Sequence, residues 1–150
     1  MIDTYARNKL AEKLRHLIEG FSTNYQFDDA VFEIKSNDRG IKGIYSQIWL
    51  LYDDLQEHKL EGKWSLTEEQ KSILKRCILF LKSNYEYKWQ PWPIAYRALR
   101  PFIWLISLGY VNKKFEAYFD KGLNKEFWPF STVEEYNTVL ENPVYLNKNA

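Results

Sequence analysis

This sequence predicts an all-α fold of about six helices in one compact domain with aromatic-rich loops. Three observations predict it. Apolar residues recur at helical spacing over the longest stretches. Helix start and stop signals bracket those stretches. Glycine and proline are few, six and five in 150 residues. The length is close to the commonest size of one domain. A chain of this size buries roughly two thirds of its unfolded surface. No linker divides it, and residues from about 144 to 150 read as a tail.

Asp3 is placed to cap a first helix running to about Glu19. Ala6, Leu10, Leu14, Leu17 and Ile18 recur on one side of it, and Gly20 stops it. Residues 21–27 read as a loop with aromatic anchors. Ala30 to Lys35 fits a short helix or a strand equally well, and Ser36-Asn37-Asp38-Arg39-Gly40 is a turn signal. A second helix is expected from about Ile41 to His58. Ile41, Ile44, Tyr45, Ile48, Tyr52 and Leu55 fall on one face of it at 100° per residue.

Two overlapping capping boxes, Ser65 with Glu68 and Thr67 with Gln70, announce a helix ending near Ser83. Its Cys77–Leu81 stretch is apolar all round and belongs in the core. Pro91 and Pro93 exclude a regular helix over residues 85–93. Pro93 then opens a helix from Ile94 to about Leu108, kinked or broken at Pro101 and stopped by Gly109. Asn112 caps a short helix to Lys121, ended by Gly122. Phe127-Trp128-Pro129-Phe130 is an aromatic loop. Ser131 with Glu134 starts a last helix, to about Glu141, before Pro143. Residues 30–34 and 144–146 are the places left for a strand.

Charge is balanced, 21 basic against 20 acidic residues. A dedicated nucleic-acid binder normally carries a basic surplus or stripe. One cysteine, Cys77, excludes an internal disulfide. The first sixteen residues lack the apolar stretch of a signal peptide, and the run from Pro101 to Val111 is too short to span a bilayer. A cytoplasmic protein with no membrane partner is expected. Aromatic residues make up 17% of the chain, a load that serves either a core or an interface.

The sequence carries no catalytic or cofactor motif. Phosphate-cradling glycine loops and nucleophile elbows are missing. Cys77 sits where a thiolate is disfavoured. Asp54 and His58 are four apart and would share one side of the second helix, but a metal site needs three or four ligands. No catalytic residue, metal or cofactor is assigned, and the expectation is a protein that is not an enzyme.

Two constellations remain. Asp53, Asp54, Glu57 and Glu61 would lie opposite the apolar stripe of the second helix, with Leu50 in their midst beside Gln47. A leucine ringed by acids resembles the centre of an interface, although packing beneath a neighbouring helix also accounts for it. The other is basic and aromatic: Lys88, Trp89, Trp92, Arg97 and Arg100, a set suited to stacking bases and holding phosphates. The same residues also suit a core corner rimmed by cations.

Segments 48–60 (Ile-Trp-Leu-Leu-Tyr-Asp-Asp-Leu through His58-Lys59-Leu60) and 77–83 (Cys-Ile-Leu-Phe-Leu-Lys-Ser) look like signature segments of a bacterial family. In style the chain resembles the small immunity proteins of polymorphic-toxin and contact-dependent growth-inhibition systems. The resemblance implies binding rather than catalysis: a cognate toxin is the partner, and its active site or another essential surface is covered. Against a nuclease toxin the four carboxylates around Leu50 would meet a basic cleft. The alternatives are a nucleic-acid-associated protein using residues 82–100, or an enzyme whose site is scattered in sequence.

Overall fold

The computed structural model describes residues 1–89, 94–119 and 122–142. Seven α-helices run through these residues, with no strand among them: α1 (Thr4–Ile18), α2 (Asn24–Phe32), α3 (Arg39–Ile48), α4 (Glu68–Leu81), α5 (Ile94–Ser107), α6 (Tyr110–Phe119) and α7 (Val133–Glu141). The all-α expectation holds. Residues 144–146, the other place left for a strand, lie outside the described residues.

Local chemistry explains most boundaries. The Asp3 carboxylate accepts from the Ala6 amide and starts α1. Gly20, with φ of 72°, takes the left-handed conformation that ends it. Thr67 and Gln70 cap α4 reciprocally, so the second of the two predicted boxes is the one used. α7 begins one residue later than predicted. Thr132 is its cap, and the Glu135 side chain returns to the Ser131 amide.

Three stretches depart from expectation. α2 occupies a region expected to be partly loop. Thr23 and Gln26 form a capping box there, which resolves residues 30–32 as helix rather than strand. α3 is the larger correction. It ends at Ile48, passes into a 3₁₀ turn at Trp49–Leu51, and gives way to irregular chain where helix was expected to His58. Asn112 does not cap α6, which starts two residues earlier; its side-chain amide donates instead to the Arg100 carbonyl.

The core lies where α1 packs along α4, with α2 and α3 against α1 and α7 against α4. Leu10, Leu14 and Leu17 of α1 meet Leu74, Cys77, Phe80 and Leu81 of α4, and Phe27, Ile44, Ile48 and Phe130 close it. Burial of this kind supplies most of the stability of a helical domain. Cys77 is fully buried, and that burial pushes its thiol far above the ordinary value, leaving it unreactive.

A charged clasp lies inside this apolar frame. Arg7, 1% exposed, and Asp38, 3% exposed, form two hydrogen bonds, Nε to Oδ2 at 2.6 Å and Nη2 to Oδ1 at 3.1 Å. Arg7 Nη1 also donates to the carbonyls of Ser83 and Tyr85 just past α4. The Asp38 carboxylate accepts from the amides of Asp3 and Gly40 as well. Burial pushes the Asp38 pKa up. The Arg7 and backbone hydrogen bonds outweigh that and hold it below the ordinary value of 3.8. One pair thus joins the start of α1, the start of α3 and the end of α4. Space beside it is tight at Gly40, where a Cβ would stand 3.0 Å from Arg7 Nη2, 3.1 Å from Asp38 Oδ1 and 3.2 Å from the Phe80 ring, so a side chain there would crowd the clasp.

α5 and α6 pack on each other as a hairpin, and among the described residues neither makes a comparable pairing with another element. α5 continues through Pro101. Much of the hairpin's apolar surface faces outward, including Leu99, Phe102, Trp104, Leu105 and Ile106.

Candidate functional site

The irregular stretch of residues 52–61 stands where a helix was expected, and it is tightly held. Asn24, the first residue of α2, is fully buried beneath it. Its side-chain amide donates to the carbonyls of Asp53 at 2.8 Å and Gln56 at 2.9 Å. Its Oδ1 accepts from the His58 amide at 2.9 Å, and its own backbone N–H donates to the His58 carbonyl at 3.0 Å. The N–H groups of a first helical turn lack partners within the helix. Asn24 spends one of them, and its whole side chain, on three residues of the loop.

Neighbouring groups reinforce the brace. Thr23 Oγ1 donates to Glu57 Oε1 at 2.7 Å, and the Tyr25 hydroxyl donates to the Asp54 carbonyl at 3.2 Å. Tyr52 and Tyr45 both donate to Asp28 Oδ1, at 2.5 and 3.0 Å. Partial burial, then the bond to Asp28, pushes the Tyr45 hydroxyl up to about 12 and the Tyr52 hydroxyl higher still, so both stay protonated donors at neutral pH. Asp53 Oδ1 accepts from the Leu55 amide, a local turn of the kind aspartate favours. At the far end the buried His58 ring stacks on Trp64 with centroids 4.1 Å apart, and its Nδ1 lies 2.7 Å from the Gln56 carbonyl. That contact is a hydrogen bond when the proton sits on Nδ1.

The predicted binding residues therefore do not share one helical face. Gln47 lies in the last turn of α3, Leu50 in the 3₁₀ turn, and Asp53, Asp54, Glu57 and Glu61 are strung along the braced loop. The physical reason is competition. Asn24 satisfies loop carbonyls that a longer α3 would have used, and Asp28 captures Tyr52. Leu55, expected on the buried stripe, is 83% exposed, and Leu50 is 67% exposed. The 3₁₀ turn and the loop thus present one exposed leucine each, Leu50 and Leu55, on a stretch that also carries Asp53, half-buried, and Asp54, Glu57 and Glu61, exposed. The pairing of Asp54 with His58 across a helical turn also falls away, because no helix joins them.

The basic and aromatic set is divided. Lys88 pairs with Glu135 of α7 at 2.7 Å. The Trp89 indole N–H is turned toward the carbonyls of Pro129 and Phe130. Arg100 pairs with Glu116 across the hairpin at 3.2 Å. Arg97 and Arg100 line an open cleft of about 500 Å³ with Pro101, Trp104 and Asn112. Trp92 lies outside the described residues.

Sequence reasoning missed Asn24, Asp28 and the Arg7–Asp38 clasp. Only Asn24 had a signal, since Thr23-x-x-Gln26 matches a capping box and marks the following residue as the opening of a helix. Among the described residues no helix is long and apolar enough to cross a membrane. Comparison with protein-family models, curated proteins and solved structures finds no match to the chain.

Proposed function

We propose that this protein is a protein-binding module, and specifically an inhibitor of the immunity type that neutralises a cognate bacterial toxin without catalysis of its own. The observation that carries the reading is the Asn24-braced loop with the 3₁₀ turn that leads into it, a stretch along which Leu50 and Leu55 stand exposed in company with Asp53, Asp54, Glu57 and Glu61. Binding costs conformational entropy, and a loop ordered in advance has already lost much of it. Exposed leucines supply the desolvated anchors that dominate affinity, while rim carboxylates speed capture of a basic surface. For such steering the local charge matters more than the near-neutral total. The division of the basic and aromatic set favours this reading over a nucleic-acid-associated one.

The test is recovery of the tagged chain from its native host with the neighbouring open reading frames expressed, followed by mass spectrometry. One stoichiometric toxin-like protein, lost when Leu50→Arg and Leu55→Arg are combined, is the expected result. Equal recovery by the variant would remove the loop as the binding surface. Recovery of nucleic acid, or of no protein in stoichiometric amount, would overturn the module itself.

A further inference from the structure

We propose that the α5–α6 hairpin is a second, independent docking element, and that its turn inserts into the surface of an anionic lipid bilayer. This goes beyond the protein-binding reading and does not rest on it.

Exposure of apolar side chains peaks at the turn. Ile106 and Leu108, at the junction of the two helices, are 85% and 83% exposed. A surface turn is ordinarily built from small and polar residues. Here the chain reads Leu105-Ile106-Ser107-Leu108-Gly109-Tyr110-Val111. Leu108 also holds φ of 48°, the left-handed region that glycine or asparagine enters far more readily. A leucine kept there, with its side chain in the open, is explained by neither local backbone preference nor packing among the described residues.

Four hydrogen bonds within the hairpin serve polar groups of the turn, and each lowers the cost of placing that group in lipid. The Ser107 hydroxyl donates to the Ile103 carbonyl and accepts from the Val111 amide. The Gly109 amide donates to the Trp104 carbonyl, and the Lys113 amide to the Gly109 carbonyl.

Charge supplies the choice of partner. Across residues 94–119 there are four cations, Arg97, Arg100, Lys113 and Lys114, against one anion, Glu116. All four cations flank a run, residues 101–112, with no charge at all. At 1.5 Å per residue, Arg100 stands roughly 10 Å back from the turn along α5 and Lys113 roughly 5 Å back along α6. Interfacial elements bury their apolar side about 5–10 Å deep, which leaves these cations at headgroup height. Trp104 and Tyr110, both exposed, fall between the turn and the cations, the level that such aromatics favour. A second copy fits less well. Two-fold pairing of hairpins would set one basic collar against its twin, and side-by-side helices leave Ile106 and Leu108 at the tip uncovered.

The experiment is flotation of the full chain with vesicles of phosphatidylcholine alone or with about 30% phosphatidylglycerol. Binding to the anionic vesicles is expected to be at least about tenfold stronger than to the neutral ones, and to weaken as salt is raised. Ile106→Glu combined with Leu108→Glu is expected to abolish flotation while circular dichroism and melting stay unchanged. Lys113→Glu with Lys114→Glu, which leaves the apolar tip intact, should weaken binding by about tenfold or more. Failure of the wild-type chain to float with anionic vesicles would overturn the proposal. So would equal flotation of the Ile106→Glu, Leu108→Glu variant, or a wild-type dimer in sedimentation that this variant dissolves.

Discussion

The loop of residues 52–61 exposes Leu55 and the α5–α6 hairpin exposes Leu99, Leu105 and Leu108, yet the two are built in opposite ways. The loop has no regular structure but is tied at several points to α2 beneath it. The hairpin is regular helix throughout and packs chiefly on itself. The loop is acidic and the hairpin basic. Regularity of the backbone is therefore a poor guide to how firmly a segment belongs to the body. What decides it is where buried hydrogen-bonding groups and apolar side chains find their partners.

The comparison can be broken most severely from below, at the clasp that holds the shared frame. Arg7→Leu leaves Asp38 buried without its cation and should destabilise the whole domain by about 3–5 kcal/mol in urea unfolding. Acid acts on the same pair. The Asp38 pKa is depressed in the folded state, so the stabilisation is present above its ordinary value and is lost as pH falls through the folded one. Unfolding monitored below about pH 4 should show this loss, and Asp38→Asn should flatten it.

Next in size is a change that sharpens the contrast by loosening one surface only. Asn24→Ala strips partners from the Asp53 and Gln56 carbonyls and the His58 amide. A cost of about 2–3 kcal/mol is expected. Hydrogen exchange should quicken across residues 53–58 while that of α5 and α6 is unchanged. Tyr52→Phe, which removes one bond to Asp28, should cost about 1 kcal/mol by the same measurement. The smallest effects on stability belong to the exposed leucines. Leu50→Arg should stay within about 0.5 kcal/mol of wild type while abolishing partner binding. A loss of helicity in that variant would mean that Leu50 supports the fold as well as a partner surface.

Strong local signals made much of the frame legible. Asp3 before an i, i+3, i+4 apolar pattern fixes α1. The Thr67 box fixes α4, and the uninterrupted run at Cys77–Leu81 marks the centre of the core. The end of α3 was hidden for the opposite reason. Tyr52 and Leu55 continue its apolar period, no glycine or proline interrupts it, and the groups that stop it come from another helix. Asn24 and Asp28 act at separations of 24 to 34 residues, which no local window contains. The acidic residues and Leu50 were thus found as a set but given the wrong scaffold. In the hairpin, the run from Pro101 to Val111 was plain in the sequence. Its exposure was not, because an apolar run reads the same whether it lies in a core or outside one.

The clasp also bears on the order of assembly. Arg7 reaches Asp38 across 31 residues, and the carbonyls of Ser83 and Tyr85 across 76 and 78. Stripping water from a guanidinium is unfavourable until all of these acceptors have arrived. The contact is therefore expected to close late, after α1, α3 and α4 have met. An interaction absent from the transition state controls how fast the native state is left rather than how fast it is reached. Arg7→Leu is therefore expected to act mainly through faster unfolding, with the refolding rate little changed, in stopped-flow measurements.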